Sequence, residues 1–379
     1  GDDSNDTCTQ CEAGKYQPSG GQASCPNCPG GKFQGSTGQV SCGTCAAGTA
    51  SGVSSGAVGC VSCGPGRYQG SPGQISCGTC SAGSYSSAAQ NKGCTTVPAG
   101  KYQPTAGSGS AAACPAGRYC PAGSVTPITC PAGSYCPPSS GTSTKCQIGR
   151  WSSAGAGGCT QCEAGKYATG GATSCTQCPS GTYAGSNGSG SCPACPNGSV
   201  QPLVGQSACT LCSDGYASYT SKIACERCGK NTYASGNGNA ACTDCPSGKT
   251  SVSGSGGCGA CPVGQAASSG SACTPCVSGK YAGAGSATCT QCNPGTYNNQ
   301  SEQSSCTACS GGQYSTAGST VCSSCDPGKF SVSASGLCIA CPAGKYIGSA
   351  GATNCLLCPT GKFTTAQGGT VCSACPAGS

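Results

Sequence analysis

The chain of 379 residues has no His, no Met, a single Trp and three Phe, and it carries only 17 basic and 10 acidic residues. Without His it lacks the side chain most used for proton transfer near neutral pH and for metal ligation. The few carboxylates are too scattered to suggest a catalytic pair. The acidic opening Asp2, Asp3, Asp6 lacks the ligand rhythm of a calcium loop, and the Gly-rich run from Gly185 to Gly190 has no Lys and no strand–helix setting for a phosphate. No enzyme, no cofactor and no metal site is expected. Leu, Ile, Val and Phe number only 28 together, too few for a single core, so covalent staples must hold the chain if it is ordered. No apolar run approaches the roughly 20 residues of a membrane-spanning helix, and no signal-peptide core is visible. The formal net charge of +7 is modest for this length and does not suggest a nucleic-acid partner. The opening at Gly1 without an initiator Met, and the stop at Ser379 inside a recurring motif, read as a mature segment whose signal, anchor or tail would lie outside it.

What the chain has is Gly (67), Cys (44) and Pro (25). Cys near 12% of the residues marks a disulfide scaffold. Nineteen Cys-x-x-Cys pairs, from Cys8/Cys11 to Cys372/Cys375, account for 38 of the cysteines. The second Cys recurs from Cys11 to Cys375 in 22 steps of 15 to 18 residues, giving 23 repeats if Val97 is counted as the position in the sixth. Such a period is the signature of a repeat architecture.

Other residues keep the same beat. Three after the second Cys stands Gly in 22 of 23 repeats, and the exception, Asn231, is the residue next most tolerant of a left-handed backbone. Five after it stands an aromatic in 17 repeats, among them Tyr16, Phe33, Trp151, Tyr281 and Phe363. A second Gly lies four before the first Cys in most repeats, as at Gly21, Gly38, Gly171, Gly285 and Gly351. Each repeat therefore reads as a Cys pair, a tight turn, a short strand with an aromatic, a Gly turn and a return. Helix is not expected, because Gly, Ser, Thr and Pro interrupt every window long enough to form one. Twelve of the 17 basic residues share one phase, four after the second Cys: Lys15, Lys32, Arg67, Lys101, Arg118, Arg150, Lys166, Lys249, Lys280, Lys329, Lys345 and Lys362. Side chains alternate along a strand, so these cations should point away from the neighbouring aromatic. They would serve solubility and protection of a strand edge, or attract an acidic polysaccharide or acidic patches on a neighbouring chain.

Runs such as Cys341-Pro-Ala-Gly-Lys-Tyr346 and Cys358-Pro-Thr-Gly-Lys-Phe363 resemble the ephrin-receptor-like cysteine-rich repeat, which is grouped with growth-factor-receptor and TNF-receptor type modules. The resemblance spans residues 8 to 378. It implies receptor ectodomains, adhesive proteins and protist surface proteins as the setting, without choosing among them.

Disulfides are the reading adopted for the cysteines, because so many thiols in a chain without His or core fit an oxidising, extracellular compartment. Four-Cys zinc sites would be permitted by the spacing, but the basic or helical surroundings they keep are missing. A redox centre would not come in nineteen near-identical copies. Cys is missing at two places, Val97 and Ala111, in the sixth and seventh repeats. If the second Cys of each repeat bonds the first Cys of the next, one bridge is lost whole. The ladder would then include Cys11–Cys25, Cys28–Cys42, Cys45–Cys60, Cys63–Cys77 and Cys80–Cys94, restarting with Cys146–Cys159, Cys162–Cys175 and Cys178–Cys192. A nested pairing, Cys94 with Cys114, explains the gap equally well. A crossed scheme, first to first and second to second, leaves stranded partners, although related modules use it. Cys114, Cys120, Cys130 and Cys136 form two copies of a different phrase, Cys-Pro-Ala-Gly-x-Tyr-Cys-Pro, and are expected to pair among themselves.

The expected fold is a set of small disulfide-rich repeats, an elongated solenoid or rod of short β-hairpin-like units with little or no helix. Its parts are a regular array over 1–94, variant central repeats over 95–150 and a regular array over 151–379. The expected role is an extracellular structural protein that forms or coats a cell-surface filament through repetitive self-association. The alternative is the ectodomain of a receptor, adhesin or surface antigen, with repeats between Cys195 and Cys261, where the aromatic is lost several times, as the specialised ones. Four N-glycosylation sequons begin at Asn5, Asn187, Asn197 and Asn299, about the number chance would supply.

Overall fold

A computed structural model describes residues 8–218, 220 and 222–378. Among them there is no helix. Twenty two-stranded antiparallel sheets follow one another along the chain, each strand two residues long. The repeat built on Cys28 serves as the example. The turn after Cys28 is closed by the Lys32 N–H donating to the Pro29 carbonyl at 3.0 Å. Lys32–Phe33 then pairs with Gly43–Thr44, the two residues inside the next Cys pair, in the register Lys32↔Thr44 and Phe33↔Gly43. The Cys45 N–H closes the hairpin on the Gly31 carbonyl at 3.0 Å. The same register joins the residues four and five after the second Cys to the two residues before the next second-Cys position, as in Lys166↔Gln177 and Tyr167↔Thr176.

Successive hairpins are fastened by backbone hydrogen bonds. Gly14 N–H donates to the Gln34 carbonyl at 2.7 Å, Gln34 N–H to the Ala57 carbonyl at 3.0 Å, and Gly56 N–H to the Cys28 carbonyl at 2.8 Å. Each repeat thus meets its neighbour through its turn and the residue after its aromatic, and the pattern recurs along the chain. Contacts between repeats close in sequence are those of a repeat array.

The glycine three after the second Cys is fixed by two constraints at once. Gly31 has φ +82°, and a Cβ on it would overlap the carbonyl of Gly73 in the repeat after next. Asn231, the one non-Gly at this phase, also has positive φ, +62°. The outer turn demands the same conformation where Gly is absent, since Gln90, Ser139, Glu302 and Ala334 all have φ between +60° and +62°.

The chain divides into two compact halves, one of Gly1–Cys178 with Ala184–Pro193 and Gly205–Ser207, the other of Pro179–Tyr183, Ala194–Val204 and Ala208–Ser379. Neither has a core of large apolar residues. The buried positions are held mostly by Cys, Ala and Ser, with Val97 the largest fully buried side chain.

Candidate interaction surface

Twenty-one disulfides join 42 of the cysteines, leaving Cys8 and Cys375 free and exposed. Nineteen are rungs from the second Cys of one repeat to the first Cys of the next, each spanning 12 to 15 residues. They include Cys11–Cys25, Cys28–Cys42, Cys45–Cys60, Cys63–Cys77 and Cys80–Cys94. The rungs restart with Cys146–Cys159, Cys162–Cys175 and Cys178–Cys192. The second Cys is sealed inside, at 0–7% exposure from Cys11 to Cys341, while the first Cys of every rung is half-exposed. In the centre the pairs are Cys114–Cys120 and Cys130–Cys136, with partners only six positions apart in sequence. Cys94 pairs with Cys80, so the nested bridge is not formed, and no crossed pair occurs.

The short bridges use a position that the sequence periodicities leave unmarked, six after the second Cys. It lies at the junction of two repeats and is buried or half-buried throughout. Gln34 occupies it in one repeat, bracing its own loop by donating Nε2 to the Ser41 carbonyl at 2.8 Å and accepting the Ser36 N–H at 3.1 Å. Gln17, Gln69, Gln103 and Gln201 make the same two contacts. Ser152 and Ser331 instead reach back to the preceding repeat, donating Oγ to the carbonyls of Ser134 and Gln313 at 2.7 and 2.8 Å. Ala168, Ala184, Ala234, Ala267 and Ala282 fill it without a polar group. Cys120 and Cys136 stand at this position, fully buried, and their bridges replace the rungs that Cys114 and Cys130 lack. Because the residue type varies so freely, only the shared environment reveals the slot.

The aromatic stands opposite the first residue of the next Cys pair, commonly Thr, as in Trp151↔Thr160 and Tyr281↔Thr290. Aromatic and β-branched partners on facing strands stabilise a sheet. Where that partner is Gly43 or Gly78, the ring of Phe33 or Tyr68 lies over the glycine, within 3.1 and 3.0 Å of where a Cβ would stand. On the other edge the aromatic strand bridges to the next repeat, as Phe33 to Ala57 and Phe330 to Ala352. The rings are therefore half-buried between strands, and the strand inside the Cys pair is the one left exposed.

The cations beside the aromatics are exposed or half-exposed. Among the described residues only Lys15 and Lys166 form ion pairs, with Glu12 and Glu163 at 3.1 and 3.2 Å. Asn187, Asn197 and Asn299 are exposed, while Ser199, which completes the Asn197 sequon, is 3% exposed. Asn5 lies outside the described residues. Among those residues no three His, Cys, Asp or Glu side chains gather as a metal site would require, and no helix is long and apolar enough to cross a membrane.

Three stretches, residues 1–45, 279–325 and 328–375, match the family model described as tyrosine-protein kinase ephrin type A/B receptor-like. These stretches carry ephrin-receptor-like cysteine-rich repeats. No curated protein matches the sequence.

Proposed function

We propose that this chain is a non-catalytic extracellular structural protein, an array of disulfide-laddered repeats that forms or coats a cell-surface filament or appendage by self-association. The observation that carries the reading is the repetition of one exposed strand, the interior of the Cys pair, in hairpin after hairpin with one register. Near-identical surfaces repeated along a chain favour repeated contacts with other copies, and a contact that does not close on itself gives a fibre. Twenty-one disulfides support an oxidising setting outside the cell. Exposed Asn187 and Asn299 would carry N-glycans, as would Asn5, whereas the buried Ser199 makes Asn197 the poorest acceptor once the chain is folded.

The second reading is an ectodomain of a receptor, adhesin or surface antigen that binds a protein or carbohydrate. What favours it is the match to the ephrin-receptor-like family over three stretches. Negative-stain micrographs of native surface material separate the two. The structural reading expects polymers that label with antibody to this chain, and dispersed single particles would overturn it in favour of the second.

A further inference from the structure

The row of cations is more continuous in the folded chain than along the sequence. In each hairpin the residue four after the second Cys stands directly opposite the residue just before the next second-Cys position, so the two share one face. Twelve basic residues occupy the first of these positions. Where it holds Ser134 or Tyr216 instead, the opposite residue is Lys145 or Arg227. Two cations that are out of phase in the sequence thus rejoin the row from the other strand, bringing 14 of the 17 basic residues into it. No hairpin places two cations at this level, and Asp244, opposite Thr232, is the acidic residue that enters it. In the first half of the molecule eight of ten successive hairpins present one cation each, from Lys15 to Lys166. Lys15 and Lys166 are already ion-paired with Glu12 and Glu163, which leaves six of these cations without a carboxylate partner among the described residues. Cations repeated hairpin by hairpin raise the local concentration of a polyanion.

We propose that this face of the first half binds a linear acidic polysaccharide, with one carboxylate or sulfate group to each cation. The proposal rests on the extracellular reading above. The density of one cation to a hairpin favours a sparse polyanion over nucleic acid. A nucleic-acid strand carries a phosphate about every 3.4 Å, so most of its charges would find no partner.

The test uses the whole chain and immobilised alginate at low ionic strength. Two triple variants remove the same charge from different places: Lys32→Gln, Lys101→Gln, Lys145→Gln in the row, and Lys92→Gln, Lys222→Gln, Lys230→Gln outside it. The row triple should weaken binding by about tenfold or more and the other triple by less than about twofold, with all binding lost at high salt. Lys145→Gln alone should cost as much as Lys101→Gln alone. Equal loss in both triples, no binding by the unaltered protein, or tighter binding to single-stranded DNA than to alginate would each overturn the proposal. The micrographs are independent of this outcome. Surface polymers that ignore alginate would sink the polysaccharide alone, and alginate binding by a protein found inside cells would sink the surface reading while leaving the row.

Discussion

At single positions the fold depends on backbone handedness more than on side-chain chemistry. Gly31 combines a left-handed φ with a neighbouring carbonyl where its Cβ would be, whereas Gly236, with φ +73°, has open space there. Left-handed backbone costs an L-residue about 1–2 kcal/mol. Gly236→Ala should therefore lower local stability by about that much, and Gly31→Ala by clearly more, because the repeat after next must also move aside. Native-state hydrogen exchange at the Cys45 amide, which bonds to Gly31, reports the second; its protection should fall by more than about tenfold. The reverse change is expected at Ala334, which holds φ +60° without being Gly. Ala334→Gly should stabilise its turn by about 0.5–1 kcal/mol, the relief of strain being partly offset by the freer unfolded chain. Unchanged protection in Gly31→Ala would show that the close approach is not a constraint.

At the scale of the hairpin, the rungs and the short bridges differ in access. A thiolate must reach a sulfur to exchange with it. Each rung offers a half-exposed first Cys, while Cys114, Cys120, Cys130 and Cys136 are at most 1% exposed. Under graded reduction with alkylation, labels should appear first on positions such as Cys25, Cys42 and Cys175, and last on the four central cysteines. Early labelling of the centre would contradict the burial. The missing rung offers a second test. Val97 keeps the backbone bond of a second Cys, donating to the Gly83 carbonyl at 3.0 Å as Cys80 does to Gly66 at 2.9 Å, and its side chain is fully buried where the sulfur would be. Val97→Cys with Ala111→Cys should form a further rung, visible in a non-reducing peptide map. The added loop of about 15 residues would be worth about 3 kcal/mol in a chain-entropy account.

These elements also show which signals the sequence carries. Cys, the glycine of the tight turn and the aromatic each do one job with one residue type, so their phase is readable, and Asn231 keeps the positive φ that its rarity at a Gly position suggests. The slot six after the second Cys is not readable, because Gln34, Ser331, Ala168 and Cys120 satisfy it by different chemistry: loop bracing, a bond to the preceding repeat, mere smallness, or a bridge. Lys145 and Arg227 were hidden for another reason. Their place in the cation row depends on which residue faces them across a hairpin, and that pairing is not local in sequence.

For the molecule as a whole, sulfur takes the place of an apolar interior. Val97 apart, the fully buried side chains of largest volume are cysteines, beginning with Cys28, Cys45 and Cys63. Each rung ties one repeat to the next, and backbone hydrogen bonds across the same junctions leave the neighbours no other register. Stability should therefore track the number of intact rungs: full reduction is expected to abolish the hairpins throughout rather than soften one end, as read by loss of amide protection along the chain. The most direct test is a complete non-reducing disulfide map of the native protein. The account predicts second-to-first rungs such as Cys28–Cys42 and Cys309–Cys322 along both halves, with Cys114–Cys120 and Cys130–Cys136 inside the first. First-to-first and second-to-second bridges, or widespread free thiols, would contradict it.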